Sequence, residues 1–222
     1  MRAPLLRPEF GPSLPELVSA RFALSRRIVA VIAVIALIVL AVVIKLIIDD
    51  GREQLTVHGK PSFNVLYDPD QLHRVAPHRG ELMRLEARRA RVSAAVTARY
   101  AHLPPYSGDA IGGQLPLYTA QYAERLRAQL PGFALGTEGK ARLNKAPGYQ
   151  VAYTSGTPGD RSSWLEIFVM PAPDESDQTV LLTLRQTVSG RPGRRGRALL
   201  KATKKAFRSF RFGTRRPLFQ GG

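Results

Sequence analysis

From Ile28 to Ile44 the chain runs through 17 consecutive apolar residues, and beyond Lys45 three more, Leu46, Ile47 and Ile48, complete a segment of 21 positions. As a helix this measures roughly 31 Å at about 1.5 Å per residue, which matches a bilayer hydrocarbon core of about 30 Å. A buried core helix is normally shorter or carries a polar stripe, and this segment has neither property. It also exceeds the apolar stretch of about 7–15 residues found in a cleaved export signal. The exit "IKLIIDDGREQ" has no small-x-small cleavage site, and the chain has no cysteine for a lipid anchor. The expectation is an uncleaved, single transmembrane helix over residues 28–48, partnered by the lipid bilayer. Lys45, close to its end, can extend its ammonium to the interface beside Asp49 and Asp50.

Arg26 and Arg27 abut one end of the run and Asp49 and Asp50 the other. Basic residues tend to stay on the cytoplasmic side, so residues 1–27 are expected in the cytoplasm and the C-terminal part outside it. Within residues 1–27, "SLPE" is a capping box in which Ser13 caps, Pro15 fits the first turn and Glu16 reaches back. Residues 49–60 are polar and read as a linker, 61–213 as one extracytoplasmic domain and 214–222 as a basic tail. Without cysteine the domain holds neither a disulfide nor a thiolate metal site, so packing alone must hold it. The 26 arginines against 7 lysines, and only two asparagines, Asn64 and Asn144, point to a GC-rich bacterial genome.

Beyond the linker, "FNVLY" alternates Phe63, Val65 and Tyr67 as a strand that stops at Pro69. Residues 82–86 and 92–100 predict two more strands. In "LPLYTAQYAERLRAQLPG", Leu115, Tyr118, Tyr122, Leu126 and Leu130 recur three or four apart, an amphipathic helix ended by Pro131 and Gly132. "GYQVAYTS", "SSWLEIFVM" and "TVLLTLRQTV", separated by turn-rich spacers, read as an antiparallel meander. A last helix over 194–211 places Leu199, Ala202, Ala206 and Phe210 on one face. The fold class is therefore α+β: an N-terminal transmembrane helix, then an antiparallel sheet flanked by helices.

This order resembles the PsbP-like alpha/beta sandwich, a family of extrinsic photosystem proteins and bacterial membrane-anchored domains. The resemblance spans roughly residues 62 to 212 and rests on Phe63, Val65 and Tyr67, on Gly148 and Tyr149 opening the meander, and on Ser209 and Phe210 closing the last helix. In the family a proline usually follows the first aromatic strand directly, whereas here Asp68 intervenes before Pro69. The resemblance implies a binding or assembly role without a shared catalytic centre, and no functional residue carries over.

The chain has no GxSxG, SxxK, HExxH or phosphate-loop motif. His58, His73, His78 and His102 lack metal-ligand spacing, and the acids of "DPD" (Asp68, Asp70) and "DESD" (Asp174, Glu175, Asp177) read as solvated turns, so no catalytic residue, metal or other cofactor is expected. Trp164 reads as core. Charge is the one exceptional feature. The net charge is +16, and from Gln178 to Gly222 there are 12 basic residues and no acid. Arg194, Arg195, Arg197, Lys201, Lys204, Lys205, Arg208 and Arg211 on the last helix are the expected contacts for anionic lipid or an anionic envelope polymer. Nucleic acid is disfavoured because Phe207 and Phe210 are committed to the buried face instead of stacking on bases. The preferred role is a non-catalytic accessory or binding domain at the cell membrane. The alternative is an envelope hydrolase whose site assembles only in three dimensions, with Tyr118, His102 and Asp109 pointing into a deep pocket.

Overall fold

The computed structural model describes residues 26–48, 51–104, 113–157, 159–171 and 178–215. The capping box around Ser13, the acids Asp49, Asp50, Asp109, Asp174, Glu175 and Asp177, and most of the tail after Thr214 lie outside these residues. The chain divides into two compact units, Met1–Asp50 and Gly51–Gly222.

In the first unit, α1 spans Arg26–Ile48 as 23 continuous helical residues. Its side chains are described at positions 28 and 30–41, and all of these are exposed. The large apolar ones occur all round the helix, and Val31, Ile32, Val34, Leu37 and Leu40 are each more than half exposed. Among the described residues no helix is long and apolar enough to cross a membrane.

The second unit is α+β, with every strand pairing antiparallel. Its elements are β1 (Glu53–Val57), β2 (Phe63–Tyr67), β3 (His73–Arg74), β4 (Met83–Arg89), β5 (Val92–Ala101), α2 (Leu115–Gln129), β6 (Ala134–Leu143), β7 (Ala146–Thr157), β8 (Asp160–Val169), β9 (Thr179–Val188), α3 (Arg194–Arg208) and β10 (Arg211–Phe212). Seven strands form one sheet in the order β3-β4-β5-β9-β8-β7-β6, and β1-β2-β10 form a small second sheet. Part of the expected linker is thus a strand: Leu55 is buried, and β1 pairs along β2 from Glu53↔Tyr67 to Val57↔Phe63. The polar composition of 49–60 concealed it because only one of its five residues is fully buried.

The pleat sends alternate residues to opposite faces of the large sheet. On one face Met83, Leu85, Val92, Val96, Val180, Leu182 and Ile167 form a core with Phe63, Val65 and Tyr67 of β2 and with Leu199, Ala206 and Phe207 of α3. The strand "FNVLY" is buried at all five positions and not, as its alternation suggests, at every second one. It is the middle strand of the small sheet, with β1 paired along one edge and β10 along the other. On the opposite face Phe168, Leu181 and Tyr149 pack with Leu115, and α2 lays Tyr118 and Tyr122 against them.

The chain after α3 joins the layers. The helix ends at Arg208, three residues before the expected boundary at 211, and Ser209 is its C-cap. The Leu66 N–H donates to Ser209 Oγ at 2.8 Å, and that hydroxyl lies 3.0 Å from Leu66 O and 2.6 Å from Ala206 O, both of which can accept its proton. Phe210, fully buried, packs its ring 5.1 Å from that of Phe63. Asn144 occupies the two-residue β6–β7 turn at φ 54 and donates its side-chain amide to Arg208 O and Phe210 O. Asn64 donates to Gly213 O at 2.7 Å. Both asparagines of the chain thus satisfy carbonyls just past the helix, where no helical partner exists.

Replacing Ser209 with Ala leaves the Leu66 N–H buried without an acceptor, which costs about 1–3 kcal/mol. We expect a single cooperative transition shifted down by several degrees in a thermal melt, at about 2–4 °C per kcal/mol for a domain of this size. An unchanged melt would show that Ser209 is not a structural clasp.

Candidate functional site

On α3, residues Gly196, Leu199, Thr203, Ala206 and Phe207 are buried. At about 100° per residue, Arg194, Arg197, Lys201, Lys204, Lys205 and Arg208 fall within an arc of roughly 100° opposite them. All six side chains, and Arg195 on the flank, are exposed. The helix carries no acid, so nothing along it neutralises the stripe. Thr203 is buried because its hydroxyl donates to Leu199 O at 2.7 Å, which lets a polar residue face the core.

The basic surface continues beyond the helix. Arg89 and Arg91 at the β4–β5 turn, with Arg191, Arg194 and Arg195, border a groove of about 510 Å³ at the start of α3. Gly193 caps the helix without a side-chain hydrogen bond, so its first N–H groups add a positive partial charge to the same surface. Arg211 departs from the expected set. It lies on β10 opposite Asn64, is half-buried, and its Nε is buried without a partner.

The other face of the sheet holds a feature missed by sequence reasoning. Glu166 is 4% exposed, between Trp164 and Phe168 on β8. Thr183 Oγ1 donates to its Oε1 at 3.2 Å, while Oε2 has no hydrogen-bond partner. Burial raises its pKa, outweighing the tyrosine hydroxyls of Tyr122 and Tyr153, Thr183 and the Arg99 guanidinium, which all favour the charged form. The same burial, reinforced by the nearby carboxyl, pushes the Tyr122 and Tyr153 phenols far above their ordinary value of 10.0. Arg99 donates to Tyr122 Oη at 3.2 Å. Period-two alternation in "SSWLEIFV" puts Glu166 in line with two aromatics, which is the signal that could have revealed it.

Trp164 belongs to this face and is half-buried, not at the centre of the core. Its ring stacks on Tyr153 at 5.7 Å, Arg185 lies 5.0 Å over it, and its Nε1 donates to Ser155 Oγ at 2.9 Å. Tyr118 and His102 border a cleft beside α2, as a three-dimensionally assembled site would require, whereas Asp109 lies outside the described residues. His73 and His78 do not join them. Among the described residues no three His, Asp or Glu side chains converge on one point.

No protein-family model and no curated protein matches the chain. Among solved structures it is similar to LpqN, a protein involved in cell envelope biogenesis of Mycobacterium tuberculosis, at 15% identity and a TM-score of 0.47, covering 76% of this chain and 95% of that one. It is also similar to the cyanobacterial PsbP, CyanoP, of Synechocystis sp. PCC 6803, at 10% identity and a TM-score of 0.47, covering 73% of this chain and 92% of that one.

The raised pKa of Glu166 fixes the sign of a pH effect. A carboxyl whose folded pKa lies above its ordinary 4.5 contributes stability below that value and loses it as pH rises through the raised one. Glu166→Gln abolishes the loss, so the variant should gain on the parent protein as pH rises above 4.5. Urea melts at a series of pH values measure this, and a constant difference between the proteins would refute it.

Proposed function

We propose that this protein is a single-pass, membrane-anchored accessory domain of the PsbP-like type, which docks on an anionic membrane surface through the exposed basic face of α3. The observation that carries the reading is the partition of α3 into a buried apolar side and an opposite arc of six cations. A basic surface kept only for solubility has no reason to concentrate on one helix while the sheet beside it mixes Arg84 with Glu81 and Glu86. The anchor is α1, whose described apolar side chains are exposed on every side, an arrangement suited to hydrocarbon and costly in water. Only four residues of sequence separate Ile48 from β1. The orientation that fits Arg26 and Arg27 is a cytoplasmic N-terminus with the domain outside.

Protease added to intact spheroplasts should therefore digest the domain. Complete protection would reverse the orientation and place the basic surface against the inner leaflet.

The unit Gly51–Gly222 should bind vesicles containing anionic lipid at low salt and leave uncharged phosphatidylcholine vesicles free. Each basic residue near such a surface is worth up to about 1 kcal/mol, within a Debye length of about 8 Å at physiological ionic strength. Changing Lys201, Lys204, Lys205 and Arg208 together to Gln should weaken cosedimentation at least tenfold with no shift in the thermal melt, because all four are exposed. Equal binding to neutral vesicles, or an unaffected quadruple variant, would remove the docking role.

A further inference from the structure

Helix α2 covers only part of its face of the large sheet. Tyr118 and Tyr122 stand with their rings nearly parallel, 6.4 Å apart, and both meet the edge-on ring of Phe168, at 5.4 and 5.5 Å. Between this helix and the end of β5 a cleft of about 390 Å³ remains, within the range of about 300–1,000 Å³ typical of small-molecule sites. It is lined by Phe168 and Leu181, by the tyrosine pair, and by Arg99 and Arg125.

Among the described residues no carboxylate lines this cleft, whereas two guanidinium groups and His102 do. Arg125 rests over the rings of Tyr118 and Tyr122, at 5.5 and 5.9 Å, and Arg99 reaches the Tyr122 hydroxyl. Both are exposed. Glu166 is buried on β8 close to Tyr122, and its Oε2 has no hydrogen-bond partner. Gln129 and Thr183 are the neutral polar groups near the cleft and near Glu166, respectively. The site thus combines two exposed cations, an aromatic and aliphatic lining, and a buried carboxyl next to Tyr122.

We propose that this cleft binds a small amphipathic monoacid, its flat apolar body lying on Phe168 and Leu181 against the tyrosines and its carboxylate held between Arg99 and Arg125. The orientation follows from the two kinds of wall. An anionic end pushed inward meets the Glu166 carboxyl and loses water without gaining a cation, whereas at the mouth it exchanges water for charge-assisted hydrogen bonds. Tyr122 links the two ends, since it touches Phe168 and accepts from Arg99. This site is separate from the basic face of α3 and does not depend on docking there.

The test uses the full-length protein in nanodiscs of phosphatidylcholine, with empty nanodiscs as reference, titrated calorimetrically with 2-naphthoate and with its uncharged counterpart 2-naphthamide. We expect one site per chain, with naphthoate at least tenfold tighter than the amide. Arg99→Gln and Arg125→Gln should each weaken naphthoate at least threefold while barely affecting the amide, and Tyr118→Ala should weaken both ligands. The combined Gln variant of Lys201, Lys204, Lys205 and Arg208 should bind naphthoate as the parent protein does. Absent naphthoate binding, equal affinity for acid and amide, indifference to both arginine changes, or loss of binding in the combined variant would each overturn the proposal. Since Arg99 and Arg125 are exposed, their variants should melt as the parent does, so a lost signal in them reports binding and not folding.

Discussion

The hydroxyl of Ser209 contacts both backbone polar groups of Leu66, and the rest of the domain is arranged around that contact. Leu66 lies in β2, buried at all five positions, where a backbone group without a partner would cost the fold heavily. The N–H and C=O of Leu66 meet one side-chain oxygen instead of another strand. That oxygen also caps α3, so a single group joins the helix to the small sheet. Phe210 then has one place to go, against Phe63. The two asparagines close the remaining carbonyls of the turn, and β10 completes the edge of β2.

The residues that carried the family resemblance have physical reasons of their own. Gly148 is bare because a Cβ there would come within 2.3 Å of Phe168 O, so any side chain would force β7 and β8 apart. Phe63, Val65 and Tyr67 fill the core, and Ser209 with Phe210 forms the clasp. Periodicity made the interior strands, α2 and the apolar side of α3 legible. It failed where side chains are not sorted between core and solvent. Strand β6, "ALGTEGKARL", is an edge strand exposed at seven of its ten positions, so its sequence shows no alternation. Strands β3 and β10 have two residues each, too few for any period.

The candidate sites divide along the same line. The basic face of α3 was readable because a helix displays charge at regular spacing, and the exposed positions agree with that spacing except at Arg211, where the helix has already ended. Glu166 was hidden for the opposite reason. A single acid in an apolar strand looks like its solvent-facing member, and only the packing of Tyr122 and Tyr153 from α2 and β7 shows that this position is enclosed. Convergence of side chains from three separate elements leaves no local pattern to read.

The two faces of the sheet differ in how they treat polar groups, and this bears on where binding can evolve. The face under α3 ties polar side chains into the fold's own backbone, Thr203 to its own helix and Ser209 to Leu66, while Asn64 Oδ1 and Arg211 Nε there stay without a partner. Change there disturbs the fold. On the face under α2 the polar groups are left partly unmatched: Glu166 keeps one oxygen without a partner, Arg185 rests on an aromatic ring, and Arg125 on two. A cation held by a ring is held by about 0.5–2 kcal/mol, less than a charged hydrogen bond gives, and can be drawn away by an anion that offers one. The loosely committed arginines are thus the ones free to meet a ligand, and the sheet beneath them can remain unchanged when they do.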